Sequence, residues 1–164
     1  MNEAIPRQTE VENIARLARL NMARDHGLHQ VAFLWTGDRV AIVGGRPLQT
    51  KMDKMAWATI LRRMAMEFNA DTVLNIMEVW AAETKATALD DRMGPVKDKT
   101  GAYEAVLFHL ETKQGTWMTL APIIRVPGQP PSFPMPRFWT QGATEGILTN
   151  LLPDKDASAY KKRD

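Results

Sequence analysis

Three side chains in the middle of the sequence have the chemistry of acid–base catalysis: Glu78, His109 and Glu111. His109 and Glu111 lie two residues apart, so a strand carries both on one face, together with Tyr103. With Glu78 on a neighbouring strand and turned the same way, an imidazole and two carboxylates would form a cluster able to move a proton. That is the core of a small hydrolase or a ligand-binding enzyme. The same residues also suit cross-strand polar pairs on a solvated face. Glu78 stands out because it interrupts an apolar run, where a buried carboxylate without a partner is costly. The alternative is an edge-facing glutamate paired with an arginine.

Other chemistries find less support. Asp25, His26 and His29 offer oxygen and nitrogen ligands, but His26 at a helix C-terminus is equally explained by the helix dipole, and no metal site is assigned. Gly44-Gly45 ahead of a helix carrying Lys51 and Lys54 is a possible anion nest. It lacks the Gly-Lys-Ser/Thr ending of a phosphate-binding loop and any dinucleotide fingerprint, so no cofactor is expected. The two serines, Ser132 and Ser158, form no nucleophile elbow.

Two further sets of residues point to binding. Pro127, Pro130, Pro131, Pro134 and Pro136 enforce extended backbone around Phe133, Phe138 and Trp139. These rings either strap the domain or anchor a protein partner, since a proline-stiffened segment loses little entropy on binding. Arg16 and Arg19 on the first helix, with Lys54, Arg62 and Arg63 on the second, are a candidate phosphate-contacting face for nucleic acid. The net charge of +2 and pI near 9.0 do not decide between this and a solvated helix surface.

The elements that carry these residues follow from periodicity. Thr9 and Glu12 have capping-box spacing ahead of Val11, Ile14, Ala18 and Met22, which predicts a helix to about His26 with Gly27 as the left-handed C′ residue. Gln30 to Thr36 and Val40 to Val43, on either side of a break at Thr36-Gly37-Asp38, read as a hairpin with both strands largely buried. Thr50, with Asp53 three residues on, opens a second helix in which Trp57, Ile60, Leu61, Met64 and Phe68 recur at helical spacing and Asn69 ends the run. Its methionines, Met52, Met55, Met64 and Met66, read as adaptable core filler or as a deformable partner surface. Asp71 to Trp80 is apolar on both sides and therefore central in its sheet. Thr84 to Thr100 reads as an exposed loop. Tyr103 to Thr112 and Trp117 to Val126 form a second hairpin around Lys113-Gln114-Gly115, with Pro122 placing the second strand at a sheet edge or marking a bulge in it. A short helix is expected from Thr144 to Leu151, then a basic tail.

Length and composition bound the whole. A chain of 164 residues with 45% hydrophobic content supports one domain, taken as residues 1–126, with 127–164 as a proline-rich extension. There is no cysteine, and no segment approaches the length that spans a bilayer, so the expected setting is the cytoplasm of a host cell or a virion, away from membranes. The run Asp71-Thr72-Val73 through Glu78-Val79-Trp80, followed by Tyr103-Glu104-Ala105-Val106 and Glu111-Thr112, resembles small uncharacterised proteins of phages and prophages. That family has no established activity, and the resemblance implies only a phage-type accessory role through binding of host or virion components. The expected fold is α+β, an antiparallel sheet of about five strands with two main helices on one face.

Overall fold

The computed structural model describes residues 4–45, 48–82, 101–142 and 151–152. The elements are α1 (Gln8–Asp25), β1 (Val31–Thr36), β2 (Arg39–Gly44), α2 (Lys51–Phe68), β3 (Thr72–Ala81), β4 (Tyr103–Thr112), β5 (Gly115–Pro122) and β6 (Thr140–Gln141). The class is α+β. The strands form one open antiparallel sheet of six, in the order β2-β1-β3-β4-β5-β6. The loop expected over Thr84–Thr100, the short helix from Thr144 and the basic tail lie outside the described residues, apart from Leu151. Among the described residues no helix is long and apolar enough to cross a membrane.

The two helices cover opposite faces of the sheet, not one face as expected. Side chains alternate along a strand. Trp35, Leu74, Ile76, Val106, Phe108, Leu110 and Trp117 pack with Val11, Ala15, Ala18 and Met22 of α1. Ala32, Leu34 and Val73, from the other face of the same strands, pack with Trp57, Ala58, Leu61 and Ala65 of α2. The reason lies in β3, where every residue from Thr72 to Met77 is buried. A strand apolar on both sides needs a layer on each.

Local signals fare unevenly. Thr50 and Asp53 form the capping box that their spacing predicts, with Asp53 N–H donating to Thr50 Oγ1 at 3.0 Å, and Asn69 closes α2 in the left-handed region. Thr36 Oγ1 then donates to the carbonyls of Phe68 and Asn69, at 2.6 and 3.0 Å, serving acceptors that the helix end leaves open. The Thr9–Glu12 box does not form, because α1 starts two residues earlier than that box requires, at Gln8, with left-handed Arg7 as its N-cap and Thr9 already inside the helix. His26, not Gly27, takes the left-handed C-terminal position. The second hairpin pairs Thr112 with Gly115, so its turn is Lys113-Gln114 and Gly115 is a strand residue. Strand β2 is at the sheet edge and largely exposed, contrary to the expectation that both hairpin strands are buried, with Ile42 65% accessible. Met52, Met55 and Met66 are exposed as well, so of the α2 methionines only Met64 packs toward the core.

Arg7 accounts for the start of α1. Its guanidinium lies over Trp35, 5.2 Å from the ring centre, donates to the Gly37 carbonyl, and pairs with Asp71 Oδ1 at 3.2 Å. Gly37 N–H donates to Asp71 Oδ2 at 2.8 Å, and Thr72 Oγ1 donates to Asp71 Oδ1 at 2.7 Å. The clasp joins α1, the first hairpin turn and the head of β3. Burial works against the Asp71 carboxylate, but Gly37, Thr72 and Arg7 outweigh it and hold Asp71 below the usual carboxylate range. A lowered folded-state pKa contributes stability that is full above the ordinary aspartate range and is lost as pH falls through the folded value. Because the Asp71 side chain is 39% exposed, solvent screens these contacts, and Asp71→Asn is expected to cost about 0.5–1 kcal/mol at neutral pH, with the difference from wild type closing in acid, as read by urea unfolding across pH.

Candidate functional site

The acid–base trio is divided by the sheet. In the β3–β4 register Asn75 opposes His109, Val73 opposes Glu111 and Glu78 opposes Val106. His109 and Glu111 therefore project with Asn75 toward α2, and Glu78 projects with Val106 toward the α1 side. The convergence that the hydrolase reading requires is absent.

On the α2 side the polar groups are buried. Glu111 is fully inaccessible, and its carboxylate accepts the N–H groups of Leu151, at 3.1 Å, and Leu152, at 2.8 Å. Two consecutive amides on one carboxylate make a clamp that holds this distant segment, whose side chains join the α2 cluster. Asn75 Oδ1 accepts from Trp57 Nε1 at 3.1 Å, which ties α2 to the centre of β3. His109 lies beside them, 4% exposed. Burial of this kind fits a structural role for Glu111.

Glu78 lies where β3 leaves the core, facing solvent and near Arg125, Glu104 and His29, and accepts the backbone N–H of Leu28. Arg125 is engaged with Glu104, its Nε 2.6 Å from Oε2 and its second contact at 3.4 Å. Burial on the sheet side raises the Glu78 pKa; Arg125 opposes the rise and Glu104 adds to it. This is a surface carboxylate sharing one cation with a second carboxylate.

The remaining candidates separate as clearly. Arg16 and Arg19 ride on α1 and Lys54, Arg62 and Arg63 on α2, so the sheet stands between them and they form no common basic face. Arg63 pairs with Glu67 at 3.1 Å and Arg16 donates to Asn13 at 2.8 Å. Asp25 is paired with Arg24, and among the described residues no group of three acids or histidines is arranged to hold a metal ion. Gly45 spends its N–H on the Gln30 carbonyl, and a Cβ there would stand 2.8 Å from the Trp57 ring, so glycine is required for packing and not for an anion nest.

Phe133, one of the three proposed contact rings, is buried in the α1 cluster against Phe108, with ring centres 5.9 Å apart, and is no surface anchor. Trp139 packs edge-on to Phe108 at 6.3 Å and is half-buried. Phe138 between them is 76% exposed. It borders a groove of about 930 Å³ between β5 and the segment from Pro134 to Phe138.

That groove has a backbone cause. The segment pairs with β5 at one end, Thr140 with Met118, and with the chain just past β5 at the other, Ser132 with Ile124. Six residue steps from Met118 to Ile124 are thus matched by eight on the strap, and Pro134 and Pro136 have no N–H to pair across. The strap bows away. The 3.1 Å bond from Gly142 N–H to the Thr116 carbonyl shows that even-numbered residues of β5 turn their peptide groups outward, so those of Leu120 point into the opening. Among the described residues, the charged ones lining it are both arginines, Arg19 from α1 and Arg137 from the strap.

No protein-family model, curated protein or solved structure matches this chain. Of the groove, Phe138 and Arg19 were legible as binding candidates, whereas Leu120 and Arg137 were not. The proline spacing was the available signal, because alternate prolines beside a strand forbid continuous pairing.

Two outcomes test these assignments. Glu111→Ala leaves two buried amides without an acceptor and is expected to cost about 3 kcal/mol in denaturant unfolding. Glu78→Gln keeps an acceptor for Leu28 but removes the charge. A raised folded-state pKa penalises folding above that pKa and not below the ordinary glutamate range, so the variant should melt higher than wild type near neutral pH and equally in acid. An identical melting difference at every pH would overturn the assignment.

Proposed function

We propose that this chain is a non-enzymatic accessory protein, of the phage type that its middle segment resembles, and that it acts by binding another protein. The observation that supports this reading is the groove beside β5: an apolar trough with an exposed phenylalanine on its rim and an open strand at its base. Exposed aromatic side chains beside a concave apolar surface are the usual anchors of protein interfaces. A virion component and a host-binding protein would use such a groove alike.

The basic residues of the two helices favour nucleic acid less, since they lie on opposite sides of the sheet. Binding to nucleic acid would need one continuous cationic face.

The test is affinity capture from host-cell lysate with wild type and Phe138→Ala, each with and without nuclease. A protein retained by wild type after nuclease treatment, and reduced roughly tenfold on the variant, is the expected result. Retention that disappears with nuclease would replace this reading with nucleic-acid binding. Because Phe138 is exposed, the variant should melt within about 0.5 kcal/mol of wild type.

A further inference from the structure

We propose that the groove between β5 and the Pro134–Phe138 strap takes an extended peptide segment whose side chains alternate between acidic and apolar. The inference rests on the protein-binding reading above and names the chemistry of the partner.

Three features define that chemistry. The first is charge. Arg19 and Arg137 are the charged residues lining the groove, both are exposed, and neither has an ion-pair partner among the described residues. Arg24 pairs with Asp25 and Arg125 with Glu104, whereas Arg19 and Arg137 are left to meet a charge brought by a ligand. A carboxylate can meet a guanidinium through two parallel hydrogen bonds, and an aqueous rim position makes this a source of specificity. A basic segment would be repelled there.

The second feature is apolar lining. Met118, Leu120, Ala121, Pro134, Met135 and Phe138 surround the trough, and Leu120 and Phe138 keep 37% and 76% of their surface accessible. Apolar side chains of a ligand would remove this surface from water, and the methionines can adapt to their shape.

The third is backbone. Leu120 turns its N–H and C=O into the gap between the Met118–Thr140 and Ile124–Ser132 pairings, and Pro122, the next outward residue, offers only a carbonyl. The strap cannot fill this position, because Pro134 and Pro136 lack donors. An extended segment can, by adding main-chain pairing at the open stretch of β5. Alternate side chains of such a segment project to opposite sides, which suits apolar contacts with the trough and carboxylates toward the arginines.

The experiment screens the full-length protein against a bead-displayed library of random peptides about ten residues long, enough for one strand, and sequences the retained beads. The same screen is run with Arg19→Glu/Arg137→Glu and with Phe138→Ala. Wild type is expected to enrich acidic residues alternating with apolar ones. Charge reversal should reduce that enrichment roughly tenfold and select lysine or arginine in its place. Circular dichroism and melting verify that the variants fold, as expected for exposed positions. Retention without an acidic bias, an acidic bias that survives charge reversal, or no retained peptide overturns the proposal. If in any of these cases Phe138→Ala still abolishes capture of a protein from lysate, the protein-binding reading stands and only the acidic, extended partner falls.

Discussion

Burial of β3 on both faces is the constraint from which the rest of the molecule follows. Leu74 and Ile76 point to one side, Val73, Asn75 and Met77 to the other, and all are buried. Six buried residues in a row cannot be served by one layer. The chain meets this by sending α1 to one face and α2 to the other, with β1 between them in sequence and beside β3 in the sheet. Antiparallel hairpins alone would have permitted a solvated face, so the three-layer arrangement is dictated by composition within β3 and not by connectivity.

Each layer is fastened by a polar group that would be costly to leave unpaired. On the α2 side Asn75 receives Trp57, and Glu111 receives the amides of Leu151 and Leu152. On the α1 side Arg7, stacked on Trp35 and joined to Asp71, fixes where the helix begins. These contacts have direction, which hydrophobic packing lacks, so they determine which segment covers which face. The clamp by Glu111 also explains how a carboxylate can be wholly enclosed: two amides from a segment forty residues away close over it.

Much of the fold was legible in the sequence, and the failures share a cause. Helical spacing in α2, its capping box and the two-sided apolar pattern of β3 are all local signals, and each describes the structure, whereas the strand of Pro122 is not the sheet edge, since β6 pairs outside it. The catalytic trio was a statement about relative orientation on two strands, which depends on register. Because Asn75 opposes His109, residues of like parity share a face across β3 and β4, and Glu78 falls opposite in parity to His109 and Glu111. A slip of one residue would have brought the three together. The intervening sequence does not encode that register locally. The helix placement failed for a related reason, since an amphipathic pattern identifies a buried stripe without saying which sheet face receives it.

The proline-rich segment shows how one device can serve both stability and recognition. Phe133 and Trp139 flank the bowed stretch and drive into or against the core around Phe108, so the strap is pinned on both sides of the opening. Were the segment to pair continuously, it would close the sheet edge and leave no groove. Were it not pinned, the exposed edge of β5 would lie open to nonspecific pairing. Two surplus residues and two prolines lacking donors hold the strap between these states, leaving a short length of strand backed by apolar side chains and flanked by two arginines. The opening costs little, because polyproline-like backbone is already extended before it docks. The aromatic residues therefore divide their roles by position: the outer pair secures the backbone, and Phe138, held between them, is left to face whatever enters the groove.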